Sequence, residues 1–407
     1  MPVCIHSWPQ AIIHVDGNAF FASVMQAAYP HYANKPLVVG KERGIATAIS
    51  YEARAYGITR GMQMHEIRLL CPHCILVEGD YELFSLFSQR MFTILRTYSP
   101  TVEEYSVDEG FADITGLRRP FHASYEEIGK KIQNDIQHSL GIPISIGISI
   151  TKSLAKLASE SKKPRGCTVV PGKHIESFLA SVPIAHVWGI GPSTAALLTK
   201  LGIHTARDFI LMPSAELFPY LSKPFKDLWH ELRGTVMHAI DTNTKNTYQS
   251  ISRTRTFAHP TKDRNYLWAQ LRENIEACFA KARRFGYSVA DVHLFLKTQQ
   301  FRYIATSLRF STPQRYPLTQ LDQFEKTFLA MYQQKTLYRA TGCTVGKLSQ
   351  GELVQSSLFE TPHKRAPAIY RTMENRHDIT FGTSLWLASE DRKTTKHMRI
   401  PMLTVRV

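Results

Sequence analysis

The stretch that most limits how this chain can fold is Tyr105-Ser106-Val107-Asp108-Glu109-Gly110-Phe111-Ala112-Asp113. Apolar and β-prone residues flank an adjacent acidic pair that is followed at once by glycine. This predicts strand, tight turn and strand, with Asp108 and Glu109 at the tip of a hairpin. Two neighbouring carboxylates repel, so burying both is costly unless a cation lies between them. Acidic turns are common, and what makes this one a site is a second acidic stretch near the N-terminus. There, Ile12-Ile13-His14-Val15-Asp16-Gly17-Asn18-Ala19-Phe20-Phe21-Ala22-Ser23 reads as a buried strand presenting Asp16 at its end. A helix then starts, with Asn18 as its cap. Asp16, Asp108 and Glu109 together would hold two divalent ions about 4 Å apart, a device for in-line attack at phosphorus. Hard ions such as Mg²⁺ take oxygen ligands of this kind.

The chain has 407 residues and a formal net charge of +15. The length predicts several domains, and the charge favours a polyanionic partner, most simply nucleic acid. No long apolar span or basic amphipathic anchor is read, so no membrane partner is expected. The residues before Gln10 lack a signal-peptide layout, which predicts a cytoplasmic protein. Six scattered cysteines need not pair in a reducing compartment. Cys71-Pro72-His73-Cys74 has no second CxxC to complete four zinc ligands, and buried or incidental thiols are the expectation.

In residues 24–81, Ile45 to Ser50 reads as a strand, and Tyr51 to Ile58 as a helix stopped at Gly57. Tyr51 and Arg54 share a helical face, and a phenol beside a guanidinium fork suits a triphosphate. Leu83 to Leu95 has helical spacing, Ile144 to Ile150 alternates as a strand, and Thr151 to Ser161 reads as a helix with Lys152 and Lys156 on one side. Residues 171–240 are helical. Within them, Val187-Trp188-Gly189-Ile190-Gly191-Pro192-Ser193-Thr194 and Leu201-Gly202-Ile203 suit backbone N–H contact with phosphate at a helix N-terminus. Polar residues 241–249 read as a linker. From Ser250, strands at Ile251–Phe257, Val292–Phe295 and Tyr303–Phe310 alternate with helices at Leu267–Phe285 and near Asp322–Gln333. A tail follows from 346, with 360–407 unassigned.

These motifs resemble those of the Y-family (translesion) DNA polymerases, in the bacterial DinB/UmuC branch. Asp16 to Ser23 is similar to the family's first motif, Tyr105 to Glu109 to its catalytic motif, and Tyr51-Glu52-Ala53-Arg54 with Gly61-Met62 to its fingers motif. The resemblance covers about residues 10–359. It implies an α+β, multidomain right-hand polymerase: palm at 10–23 and 82–170, fingers at 24–81, a helix–hairpin–helix thumb at 171–240, and a little finger at 250–345. It also implies addition of dNTPs to a primer 3′-OH on template DNA, at low fidelity and without proofreading, in DNA damage tolerance.

In that reading two Mg²⁺ ions are held by Asp16, Asp108, Glu109 and the Gly17 carbonyl. Tyr51, Arg54 and Lys163 orient the nucleotide, Phe20 and Phe21 adjoin it, and Phe21 is the steric gate against ribonucleotides. Gly189, Gly191, Thr194, Arg253 and Arg255 would contact the DNA backbone. Gln355-Ser356-Ser357-Leu358-Phe359 resembles the bacterial sliding-clamp peptide, anchored by Gln355, Leu358 and Phe359. The protein would act as a nucleoid-associated monomer.

Three departures from the family pattern are visible. Ala48 stands where the family has threonine, Asn18 replaces an aspartate, and Gly110 replaces Ala, Cys or Ser, which predicts a looser hairpin tip. Two other readings compete: a catalytically dead, clamp-bound adaptor, and a DNA-repair hydrolase using the same metals. The adaptor would not need all three carboxylates, and the hydrolase would not need the triphosphate set or a sugar gate.

Overall fold

The structure, a computed structural model, describes residues 5, 8–243, 248–350 and 366–378. The chain forms two compact units that divide between Asn243 and Thr244, inside the polar stretch read as a linker.

The first unit is organised on β1 (Ile12–Gly17), whose six residues are all buried. A small sheet follows, with β2 (Leu37–Val39), β3 (Ala48–Ile49) and β4 (Ile75–Val77) in the order β3-β2-β4. The main sheet adds β5 (Val102–Glu104), β6 (Glu109–Asp113), β7 (Ile144–Ser149) and β8 (Cys167–Val169), in the order β5-β6-β1-β7-β8. With β1 in the middle, antiparallel to both β6 and β7, the register sets Asp16 beside Glu109 on one side and Ser145 on the other. Period-2 alternation divides the strand's side chains between two layers. Ile13 and Val15 face a core that includes Phe84, Met91, Phe92, Ile128 and Ile132, from helices Tyr81–Arg96 and Tyr125–Leu140. Ile12 packs instead with Phe111 and Ala155, on the side of helix Lys152–Glu160. That side carries His14 and Asp16.

Two glycines mark where layers touch. A Cβ on Gly147 would lie 2.0 Å from the Ala155 carbonyl oxygen and 2.3 Å from the Ser159 nitrogen, so helix Lys152–Glu160 lies directly on β7. A Cβ on Gly110 would lie 2.4 Å from Phe92 Cε1 and 2.6 Å from the Glu103 carbonyl oxygen. Gly110 is therefore a close-approach residue beneath the acidic pair, and the expected loosening of the hairpin tip is replaced by tight packing. Gly110→Ala is expected to destabilise the fold by about 1–3 kcal/mol through overpacking. Phe92→Leu should restore part of that loss, as read by chemical denaturation.

Several local readings are corrected. Asn18 does not cap the first helix: Ala19 holds that position, at φ 48, for helix Phe20–Ala28. The Asn18 side chain is buried and bonds elsewhere. β3 is two residues long, because Ile45 instead bridges to Gln63. The helix at Tyr51 ends at Arg54, with Ser50 as its cap.

Buried Glu231 joins helix Lys223–Leu232 to the start of helix Lys152–Glu160. Its carboxylate accepts hydrogen bonds from the backbone N–H groups of Ser153 (3.1 Å), Met237 (2.8 Å) and His238 (3.0 Å). Its own carbonyl accepts from Thr151 Oγ1 at 3.0 Å. Glu231→Ala would leave three donors unpaired, and a loss of about 3 kcal/mol is expected. Denaturant unfolding of the variant tests this, and Glu231→Gln should recover part of the loss.

The second unit runs β9 (Ser250–Thr261), helix Arg264–Arg284, β10 (Tyr287–Thr298), β11 (Tyr303–Gln314), helix Leu321–Met331 and β12 (Tyr338–Gln350). Its antiparallel sheet has the order β11-β10-β12-β9. β12 was not read from the sequence, and the boundary placed at 346 falls inside it. Small residues and glycines from Ala340 to Gly346 weaken its alternation. Gly342 is required there, since a Cβ would lie 2.4 Å from the Phe295 ring.

Helix Ala366–Asp378, in the stretch left unassigned, belongs to this unit. Tyr370 donates to Glu276 Oε1 at 2.8 Å, stacks on Tyr316 at 5.2 Å, and lies 4.3 Å below the Arg283 guanidinium. Gln355, Leu358 and Phe359 lie outside the described residues.

Candidate active site

The register of β1 and β6 brings two carboxylates together, and the helix above supplies their counter-charges. Lys163 Nζ lies 2.8 Å from Asp16 Oδ1 and 2.6 Å from Glu160 Oε1. Lys156 Nζ is hydrogen-bonded to Glu109 Oε2. The Lys156 ammonium also lies 5.4 Å from the Tyr105 ring centroid and 5.3 Å from that of Trp188. Trp188 meets Tyr105 edge-on at 5.4 Å, which sets the turn before Gly189 against the acidic hairpin.

His14, absent from the predicted site, is fully buried between these groups. Its Nδ1 is 2.8 Å from Ser159 Oγ, whose hydroxyl donates to the Lys156 carbonyl at 2.7 Å. Those partners assign the proton to Nδ1, and Nε2 is left without a hydrogen-bond partner, 3.3 Å from Glu109 Oε2. Burial lowers the pKa of His14, which favours the neutral ring. A lone pair facing a carboxylate is an arrangement that a cation relieves. Ligand atoms of His14, Asp16 and Glu109 all lie within 4.8 Å of one another, so the residues present suit a divalent ion.

The two carboxylates are tuned in opposite directions. Burial raises Asp16 to about 6, outweighing the attraction of Lys163. Burial also works to raise Glu109, but the Lys156 ammonium, hydrogen-bonded to it, holds it below the usual carboxylate range. Only Asp16 should therefore limit metal binding in the accessible range. The metal concentration for half-maximal binding is expected to rise about tenfold per pH unit below about 6. It should be level above pH 7. Mn²⁺ titrations across this range test the prediction.

Asp108 is placed by its backbone and turned by its side chain. Its carbonyl accepts from Gly17 N–H at 2.8 Å, and Ser106 N–H to Glu109 O at 2.9 Å closes the loop. Its Oδ1 accepts from Ser106 Oγ at 2.6 Å, so it stands beside the His14–Asp16–Glu109 group instead of within it. Asn18 exchanges hydrogen bonds of 2.9 and 3.0 Å with Ser145 and accepts from Arg165 N–H at 2.8 Å. It thereby fixes the turn that carries Lys163.

Arg54 stacks over the Tyr51 ring at 4.5 Å, as the helical spacing predicted. Lys163 and Asp16 are near enough to act on the Tyr51 phenol, whose pKa burial raises. Thr47 Oγ1, beside Ala48, donates to the Val39 carbonyl at 2.9 Å, so its hydroxyl is committed to β2. Phe21 is half-buried, stacked on Phe84 at 4.3 Å and edge-on to Tyr81 at 5.8 Å. Phe20 is buried in the core with its ring against Gly17, and supports the site from beneath. Gly189 and Gly191 are exposed ahead of helix Pro192–Lys200, where Gly191 is the cap and Thr194 is half-buried in the first turn. Arg255 pairs with Glu273 at 3.0 Å and Arg253 with the same carboxylate at 3.8 Å. Both reach toward helix Arg264–Arg284 and away from the open face of the sheet. The Cys71–Cys74 stretch contributes no three-ligand group among the described residues.

The chain is similar to proteins of known activity. The profile of the impB/mucB/samB family matches residues 15–160, its C-terminal domain 248–358, and its HHH motif 173–203. A DNA polymerase IV of Dehalococcoides mccartyi is 34% identical over 305 residues, covering 74% of this chain and 77% of that protein. DNA polymerase IV of Moorella thermoacetica is 33% identical over 302 residues, covering 73% and 75%. Among solved structures, a chimera of the Y-family polymerases Dbh and Dpo4 matches with a TM-score of 0.70 at 21% identity, covering 84% of this chain and all of that one. An insertion ternary complex of Dbh DNA polymerase matches at 0.55 and 22% identity, with coverage of 84% and 100%. The fold is that of a template-copying polymerase, and the chain belongs to the impB/mucB/samB family of Y-family, DinB-type DNA polymerases. It is a DNA-directed DNA polymerase of the translesion class.

Proposed function

We propose that Asp16, Asp108 and Glu109, with the Gly17 carbonyl, hold two Mg²⁺ ions that serve nucleotide addition to a primer 3′-OH. The observation that carries this reading is the adjacency of Asp16 and Glu109, each neutralised by a lysine from one helix and the turn after it. When bound, the ions would supply an activated 3′-oxygen and neutralise charge building on the triphosphate. Lys163 is then freed from Asp16 and turns, with Tyr51 and Arg54, to the triphosphate oxygens. Phe21, fixed by Phe84 and Tyr81, closes the space that a ribose 2′-OH would need.

DNA is gripped without regard to base sequence by the N–H groups at Gly189, Gly191 and Thr194 and by the little finger, which gives salt-sensitive affinity. The ion pairs of Arg253 and Arg255 with Glu273 would have to open for those arginines to reach phosphate. The protein works as a monomer in the cytoplasm, on the nucleoid, under the DNA-damage (SOS) response. Gln355, Leu358 and Phe359 anchor it to the sliding clamp as a short apolar peptide. No described helix is long and apolar enough to cross a membrane.

Primer extension decides the reading. Asp108→Ala is expected to abolish template-directed incorporation, by at least about 1000-fold, if it holds metal. Retained extension would refute the assignment. Phe21→Ala should raise ribonucleotide insertion with little change for dNTPs, and unchanged sugar selectivity would remove its role as gate. Leu358→Ala with Phe359→Ala should remove clamp stimulation and leave clamp-free extension intact.

A further inference from the structure

One surface of the second unit is used neither by the fold nor by the site. Phe301, in the loop between β10 and β11, is 60% exposed, and Tyr303, which begins β11, is also 60% exposed. Phe301 adopts φ 65, the left-handed region that a bulky side chain enters only at a cost. The turn is well built around it. Phe301 N–H donates to the Thr298 carbonyl at 3.0 Å, Thr298 N–H to the Arg302 carbonyl at 2.8 Å, and Arg302 N–H to Thr298 Oγ1 at 3.2 Å. Three-residue hairpin loops of this kind favour glycine at the left-handed position. A phenylalanine there is unfavourable for the backbone and for solvation alike, while it gains little from the core. Strain of this kind persists where a side chain is being presented.

Phe295 meets the Tyr303 ring edge-on at 5.3 Å, and the other neighbours of the two rings are cations. Lys297 Nζ lies 4.6 Å from the Tyr303 centroid and 5.2 Å from that of Phe301. The Arg339 guanidinium lies 4.1 Å from Phe301, and Arg302 is exposed in the loop. No carboxylate occurs in residues 297–303 or 334–339. Flat exposed rings edged by ammonium and guanidinium groups match unpaired nucleobases with their phosphates. Bases already stacked in a duplex gain less from such a surface.

We propose that Phe301 and Tyr303 form a stacking platform for unpaired bases of single-stranded DNA, with Lys297, Arg302 and Arg339 meeting the phosphates. The platform lies in the second unit, apart in sequence from the carboxylates, and it goes beyond the metal and clamp assignments above.

Binding of an unstructured single-stranded oligodeoxynucleotide to the full chain, by fluorescence anisotropy, tests this. Phe301→Gly relieves the backbone strain, so its melting temperature should equal or exceed that of the wild type. It should nevertheless lose roughly fivefold to tenfold in single-strand affinity. Tyr303→Thr, which suits a strand, should show a similar loss. Affinity for blunt duplex of the same length should stay within about twofold. With 5-iododeoxyuridine in the oligonucleotide, photocrosslinks should map to Phe301 or Tyr303. Unchanged single-strand affinity, with crosslinks only elsewhere, would overturn the proposal. An equal loss on single strand and duplex would also overturn it, because it would indicate a purely electrostatic surface. Unaltered DNA binding with impaired clamp-dependent synthesis would make the patch a protein contact and contradict it as well. Nucleotide insertion at a primed template should continue in both variants, so failure here leaves the polymerase assignment standing.

Discussion

The structure depends on balancing two buried carboxylates that a β-sheet register forces together. Asp16 and Glu109 are direct neighbours on β1 and β6, and in the absence of counter-charge their repulsion would oppose the pairing that folds the unit. Lys156 and Lys163 supply that charge from a single helix and the turn that ends it. The helix can do so because Gly147 lets its backbone rest on β7. Helix Lys223–Leu232 is bound to the same helix through Glu231, and Trp188 packs at the acidic hairpin. Sheet and helices thus converge on one electrostatic problem. The resting lysines hold the positions that divalent ions and a triphosphate would reorganise.

Two levels of tuning follow from this arrangement. Glu109, with the Lys156 ammonium against it, is held as an anion. Asp16 is buried more deeply and titrates within reach of neutrality. His14 acts through position: its ring, oriented by Ser159, keeps an acceptor nitrogen beside the carboxylates. Asn18 bonds Ser145 and the turn behind Lys163. Its amide holds that turn without adding a further negative charge to the site.

Much of this was legible in the sequence because it is local. A hairpin at the acidic pair, the strand before Asp16, the Tyr51–Arg54 face and the division near residue 243 all follow from short-range pattern, although the turn falls at residues 105–108 and Glu109 already lies in β6 instead of at the tip. What was missed depends on contacts between distant segments. His14 looked like one more position in an apolar strand until β1 met the helix carrying Ser159. Gly110 read as a flexible residue, and only the approach of Phe92 and the Glu103 backbone shows that it is a packing requirement. β12 was hidden because the small residues that let Phe295 cross it also erase its alternation. Arg253 and Arg255 read as free cations in a strand, since nothing local points to Glu273 as their partner.

The central claim is that Asp16 and Glu109 exchange lysine ammonium groups for metal ions. Its most direct test is Mn²⁺ binding, followed by electron paramagnetic resonance. The sample would be the complex with a dideoxy-terminated primer on template and the matching dNTP. The account predicts tightly bound Mn²⁺ that is lost in Asp16→Asn while DNA binding persists. Equal Mn²⁺ occupancy in the wild type and Asp16→Asn would contradict it.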